Sequence, residues 1–508
     1  MKSFIDNMNE YSSQYSVTEN GAIAYKTSSK RLTDFNFKIS YYRNHPEEAK
    51  NDFCDLMESY ESMETIARYI FYIGDIREGL GERNLFKICL KEFLKYLDEE
   101  KIEKILHFVP EYNRWDSLWK TIVDDEELFI HVLSIINNQL LFDLTNQENG
   151  KSVSLIAKWL PSENASSEET KQMAKKIYRG LHLTSKEYRV VLSTLRKYID
   201  VTERKMSLNQ WNEIEYKNVP SKANLLYSNS FLKHDEERRK AYIESLKQGK
   251  TKINSSVLYP YEIVDKYTSY DYYYLHGLLS KEYNEVYEQM WKSLPKLNIK
   301  NTLVVRDGSG SMFWSKVGNT KPISVATSLA IYLSENNSDG WKNKFVTFSN
   351  KPKIVDLSDC ETLMDKINKT SKYDDCSNTD IYATMRLILD TAMKNNVKQE
   401  EMPEMILIIS DMQFDGHLFN MSGSLFDNIK IQFECAGYKL PKICFWNVAG
   451  SYSNTIPLQE NEYGLILCSG FSINIVKMFL SGEIDPYKIL LDTINDKRYD
   501  PIGEIFYK

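Results

Sequence analysis

The chain has 508 residues, 42% apolar and 27% charged, with 71 acidic against 64 basic side chains and a net charge of −7. That length predicts two to four domains, and that composition a globular chain with large cores, not a disordered or low-complexity one. Bulk charge therefore does not predict nucleic-acid binding, and any such role has to rest on a local basic patch.

Met1–Asp6 carries no apolar signal core, and no run approaches 18 apolar residues. No membrane-spanning helix is therefore expected, and a cytoplasmic protein is predicted. The seven cysteines are scattered without CxxC spacing, which reads as reduced, mostly buried thiols. The seven histidines form no HxxxH pair, so zinc is not expected. Residues 1–50 read as an extended arm, with a helix starting near Pro46.

Residues 51–297 carry helical periodicity. Met63, Ile66, Ala67 and Ile70 share one face; so do Phe86, Cys89, Leu90, Phe93 and Leu97, and again Leu128, Val132, Ile135, Ile136 and Leu140. Breakers separate the runs: Gly79-Leu80-Gly81, Pro110, Pro161, Pro220 and Pro260. Successive helices with short connections predict a helical-repeat, HEAT-like array, with no clean repeat period. Within it, Lys171–Lys205 holds ten basic residues against Glu187, Asp200 and Glu203, with Tyr178, Tyr188 and Tyr198 interleaved. Lys171, Lys175 and Arg179 recur every four residues on one face. Together with Lys176, Arg189, Arg196 and Lys197 they are the candidate RNA-binding cations, able to neutralise successive phosphates while Tyr rings stack unpaired bases. The alternative is a solvated helical face. Asp75, Arg77, Glu82 and Arg83 around the Gly-Leu-Gly turn read as an ion-pair network, the alternative having the two Arg face RNA; Trp115 in Arg114-Trp115-Asp116 reads as a core anchor, the alternative being a base-stacking platform.

From residue 298 the pattern changes. Strand-like runs (Asn301–Arg306, Lys344–Phe348, Met405–Ser410, Lys442–Trp446, Leu465–Cys468) alternate with helical ones (Pro322–Leu333, Thr379–Met393, Ile473–Leu480). Alternating strands and helices predict a mainly parallel α/β sheet covered on both faces over 298–508. The first strand ends in Asp307-Gly308-Ser309-Gly310-Ser311. Open α/β sheets bind ligands at the carboxyl ends of their strands. One carboxylate and two hydroxyls are hard oxygen donors suited to Mg²⁺ or Mn²⁺. Thr379 offers a further hydroxyl at a helix start, and Asp411 closes a second buried strand; Asp415 is the fallback. Phosphate loops, GxSxG elbows and HExxH are absent, so no enzyme is expected.

The Asp307–Ser311 pattern resembles the metal-ion-dependent adhesion site of von Willebrand factor A domains, and the Thr379 and Asp411 segments match that site's second and third loops. Position 308 departs from the commoner form, being Gly where a β-branched residue is usual. Further segments are similar to a domain-of-unknown-function family of plants, protists and large viruses: Gly74–Arg83, Val109–Asp116, Ala157–Ser162, Val219–Ala223, Ser410–Asp415, Phe445–Asn447 and Leu467–Ser472. That family is related to the TROVE proteins, which include Ro and telomerase-associated ribonucleoproteins. The resemblance implies a helical-repeat ring closed by a von Willebrand A domain, binding small structured RNA or RNA ends. The predicted protein is thus non-enzymatic and Ro-like. Its arm is 1–50, its TROVE-like helical domain 51–297 and its von Willebrand A-like domain 298–508. Asp307, Ser309, Ser311, Thr379 and Asp411 would hold the metal. The alternative is a scaffold that binds no RNA and recruits an acidic protein partner through that metal.

Overall fold

The computed structural model describes residues 15–17, 23–25, 30–253, 255, 257–268, 282–314, 316–374, 379–412, 425–449, 465–476, 478 and 485–507. Contacts divide the chain into two units: residues 1–61 with 255–495, and residues 62–254 with 496–508. The chain therefore crosses between units three times. Residues 255–297 group with the sheet, and the last residues group with the helices.

Every described residue between 30 and 300 is helical or in a connection, and the sheet follows, as the two periodicities require. The helical unit runs through Met63–Gly74, Arg83–Leu94, Glu99–Tyr112, Trp115–Ile122, Glu126–Glu148, Ile156–Trp159, Glu168–Gly180, Ser185–Ile199, Thr202–Ser207, Ser221–His234 and Glu236–Lys247. Their starts follow from local chemistry. Ser62, Asp98, Asp125 and Ser167 each accept a main-chain N–H of the first turn, and Thr184 with Glu187 forms a reciprocal capping box. Gly79 is demanded by space: a Cβ there would lie 2.1 Å from the Tyr72 carbonyl oxygen. Pro110 does not break its helix but sits in its last turn, three residues before the Asn113 cap.

Helix Glu126–Glu148 is, by length and composition, long and apolar enough to cross a membrane, its most apolar 18 residues having a mean hydropathy of 1.3. The sequence reading, which counted unbroken apolar runs, passed over it because Asn137, Asn138, Gln139 and Asp143 interrupt it. In the fold it packs against Glu99–Tyr112, Trp115–Ile122, Ile156–Trp159, Glu168–Gly180 and Ser185–Ile199. Its buried Asp143 accepts from Gln139, the Ser154 N–H and the Ser154 hydroxyl at 2.8, 3.0 and 2.6 Å.

The other unit is built on a six-stranded sheet. Its strands are β3 (Thr302–Asp307), β4 (Lys344–Phe348), β5 (Ile354–Asp356), β6 (Met405–Ser410), β7 (Lys442–Asn447) and β8 (Leu465–Ser469), after a short antiparallel pair β1 (Tyr15–Val17) and β2 (Ile23–Tyr25). The sheet order is β5-β4-β3-β6-β7-β8, parallel except for the edge strand β5, which the sequence reading missed. Counted from β3, this is 3-2-1-4-5-6, the doubly wound order whose direction reverses between its first and fourth strands. β3 and β6 are wholly buried because both faces are covered; β6 reads as an apolar run up to Ser410, and β3 as one that Arg306 interrupts. On one face Leu303, Val305, Ile406, Ile408 and Phe445 meet Ile381, Met385 and Leu389 of helix Ile381–Asn395, and Ile429 and Phe433 of helix Leu425–Cys435. On the other lies helix Pro322–Glu335, buried from Pro322 to Ser334.

The N-terminal segment belongs to this sheet unit. Phe37, on helix Arg31–Phe37, enters the sheet core. The Ser40 N–H donates to Ser469 Oγ, and the Ser40 hydroxyl to the Asn447 carbonyl, each at 3.0 Å. Asn44 Nδ2 donates to the Lys316 carbonyl at 2.5 Å.

Candidate metal centre and cationic faces

Asp307 ends β3 beside Ser410, which ends β6, because the two strands run parallel with Arg306 opposite Ile409. This is the switch point of the sheet. Asp307 and Asp411 are 0% and 1% exposed. The Ser410 hydroxyl donates to Asp307 Oδ2 at 2.5 Å, and the Ser309 N–H to Oδ1 at 2.8 Å. Ser309 Oγ and Ser311 Oγ are 3.1 Å apart. Past Asp411, Met412 takes a φ of +66°, a left-handed conformation unusual for a non-glycine residue, and its N–H donates to Ser410 Oγ at 3.1 Å.

Burial, and then the negative charge of Asp411, push the Asp307 carboxyl above its ordinary range; hydrogen bonds from Ser410 and Ser309 oppose the shift. Two carboxylates thus lie within electrostatic reach of each other in a buried site edged by hydroxyls. That donor set is all oxygen and anionic, and it fits Mg²⁺ or Mn²⁺. Thr379, also buried, immediately precedes Asp380, which caps helix Ile381–Asn395 by accepting the Ala383 N–H at 2.9 Å. Asp415 lies outside the described residues.

A buried ion pair next to this site was not foreseen. Arg306 donates to Asp374 and, at 3.1 and 2.7 Å, to Thr327 Oγ1; both charged side chains are fully enclosed. It leaves little room for a side chain at position 308. A Cβ there would lie 3.3 Å from Asp374 Oδ1 and 3.4 Å from Arg306 Nη1. The signal was present as an arginine inside an otherwise apolar strand.

The candidate RNA cations separate into two groups. Lys175, Arg179, Arg189 and Lys197 are exposed on helices Glu168–Gly180 and Ser185–Ile199, with Lys186 beside them. The others are engaged with neighbouring groups. Arg196 donates to the carbonyls of Ala157 and Leu160 and to Ser162 Oγ at 2.6–2.7 Å. Lys176 reaches the Val123 carbonyl and lies 4.5 Å from the Phe129 ring centre. Lys171 pairs with Glu168 at 3.3 Å. Tyr178 and Tyr188 are buried, the Tyr188 hydroxyl donating to the Pro161 carbonyl, so only Tyr198 of the three is exposed. Elsewhere Arg77 pairs with Glu111 at 3.3 Å, while Asp75 receives Arg498 at 2.9 Å.

Sheet order and paired acids at the switch point define a doubly wound α/β unit with an acidic, oxygen-only site, joined to a helical array. Residues 301–498 match a family model described as Domain of unknown function (DUF7788), and residues 168–301 one described as Domain of unknown function (DUF2828). Over 527 residues the chain is 28% identical to the uncharacterized protein L728 of Acanthamoeba polyphaga mimivirus, spanning 96% of this chain and 88% of that protein. The crystal structure of the Ro (RSR) protein of Deinococcus radiodurans aligns over 92% of this chain and 99% of its own, at 13% identity and a TM-score of 0.44.

Proposed function

We propose that the protein is a non-enzymatic RNA-binding protein that holds one Mg²⁺, or Mn²⁺, at the switch point of its sheet. The observation that carries the metal is the pair of buried carboxylates, Asp307 and Asp411, edged by Ser309 and Ser311. Thr379 would complete the set, directly or through water. Bound there, an ion would neutralise two buried charges and could take up a phosphate or a partner's carboxylate. Hydrolytic centres generally use more carboxylate or His ligands, often around two metals about 3.5–4 Å apart, so the reading is of a binding site.

The RNA half is supported by the exposed cations Lys175, Arg179, Lys186, Arg189 and Lys197 in a chain that is acidic overall. Cations at helical spacing neutralise phosphates without selecting sequence. Titration of labelled structured and single-stranded RNA at two salt concentrations tests it. Replacing Lys175, Arg179 and Arg189 by Ala should weaken binding to unrelated RNAs alike and flatten the salt dependence by about 2 in log–log slope. Equal curves for wild type and variant would move the site elsewhere.

A second reading, a scaffold recruiting an acidic protein through the metal, is favoured by one feature. Trp314 is 65% exposed and lies over Gly310 in the first metal loop, its Nε1 3.4 Å from where a Cβ would stand. Exposed Trp side chains are common anchors at protein interfaces. No binding of any RNA by the wild type would select this reading.

A further inference from the structure

Exposed apolar side chains are ordinary when scattered singly and mark an interface when they gather on one face. Helix Glu126–Glu148 gathers three: Ile130, Leu141 and Phe142 are 66%, 57% and 61% exposed. The stretch around them is almost without charge. From Leu128 to Gln147 the only Asp, Glu, Lys or Arg is Asp143, which is buried and already engaged with Gln139 and Ser154. At the chain's 27% average, those twenty residues would hold about five charged side chains.

The exposed positions follow a symmetric order. Glu126, Ile130, Ser134, Asn137, Leu141 and Thr145 are all exposed and lie on one side of the helix, spaced four, four, three, four and four residues apart. Turned end for end about a point between Ile135 and Ile136, the series meets itself: Ile130 falls opposite Leu141, Ser134 opposite Asn137, and Glu126 opposite Thr145. Apolar then meets apolar, hydroxyl meets amide, and no like charges stand opposite each other. A two-fold interface demands such self-complementarity, since residue i touches residue j and j touches i. Ser134 and Asn137 at the crossing are short side chains, which suits the close approach of two helices at about 8–10 Å between axes. The same residues argue against lipid. Ser134, Asn137 and Asn138 would lose hydrogen bonds in hydrocarbon. No Lys or Arg stands between Thr121 and Gly150 to hold the helix at a headgroup surface. A strongly charged partner finds only Glu126 to meet along the series.

We propose that this face binds the same face of a second copy of the chain, the two Glu126–Glu148 helices lying antiparallel across a two-fold axis at the level of Ile135 and Ile136. At 1.5 Å per residue the helix is about 34 Å long and its exposed flank about 10 Å wide, a footprint of roughly 340 Å² on each copy. Phe142 and Asn138, at the margin of the series, widen it. Stable interfaces bury about 800 Å² a side, so this is a transient dimer that forms and dissociates with concentration.

The test is sedimentation equilibrium of the full chain over about a hundredfold range of concentration, with wild type beside Ile130→Lys and Leu141→Glu. Both positions are exposed, so neither change enters the core, and an unchanged melting temperature checks this. The expected result is a wild-type mass that climbs from monomer toward dimer, with the dissociation constant raised about tenfold or more in each variant alone. An equal mixture of the two variants should associate again. The new ammonium of one then faces the new carboxylate of the other, while Leu141 of the first still meets Ile130 of the second. A wild type that stays monomeric throughout overturns the proposal. So does undiminished association of either variant, which places the interface elsewhere. A mixture no more associated than its parts overturns the antiparallel pairing. A monomeric wild type that co-sediments with phosphatidylcholine vesicles, and is released by Ile130→Lys, overturns the dimer in favour of a lipid surface.

Discussion

Asp307 was legible because its chemistry is local: an apolar strand, an Asp and two hydroxyls within five residues. Arg306, one position earlier, was not, because its partner Asp374 lies 68 residues further along the chain. Removing one member of a buried pair leaves the other charge enclosed. Asp374→Ala should therefore cost ~3–5 kcal/mol of stability, and Arg306→Met/Asp374→Leu should recover most of it. Urea unfolding of the two variants measures this; equal losses would mean that the pair's charge is not what holds the site. Gly308→Val should destabilise by about 1–3 kcal/mol through crowding against the same pair.

At the scale of elements, periodicity found the long helices and the buried parallel strands, where the repeating environment writes itself into the residues. It missed β5, three residues long with only Val355 buried, which is too short to show alternation. It also took Lys171, Lys175, Lys176, Arg179, Arg189, Arg196 and Lys197 together as one RNA-facing set. Spacing says which residues share a helix face, but not which face a neighbouring helix covers. Arg196 shows the difference. It points into the structure, where burial lowers its pKa and three acceptors from Ala157, Leu160 and Ser162 receive it. Arg196→Ala should cost about 1–3 kcal/mol by leaving those acceptors unmet. It should leave the salt slope of RNA binding unchanged, unlike the Lys175/Arg179/Arg189 variant. Thermal unfolding and RNA titration on the same preparations separate the two roles.

For the molecule as a whole, the fold class was legible and the assignment of segments to units was not. Composition changes near residue 298, yet 255–297 and the first 61 residues group with the sheet, and 496–508 groups with the helices. Local patterning reports whether a segment is helical, not which distant surface completes its core. Phe37 fills the sheet core, and Arg498 carries the charge that meets Asp75, which is buried in the helical unit. Arg498→Ala should destabilise the protein by about 3 kcal/mol, since it strips a buried carboxylate of its guanidinium. Denaturant unfolding checks this, and a change below about 0.5 kcal/mol would show the tail to be dispensable.

The proposed function turns most directly on whether Asp307 and Asp411 share a cation. Melting temperatures of wild type, Asp307→Ala and Asp307→Asn, recorded across a Mg²⁺ titration, decide it. An ion bound only by the folded state adds about 2.7 kcal/mol at a hundredfold excess over its dissociation constant. The expected result is a wild-type melting temperature that climbs with Mg²⁺ while both variants stay flat. Equal Mg²⁺-induced shifts in all three proteins would contradict the metal centre.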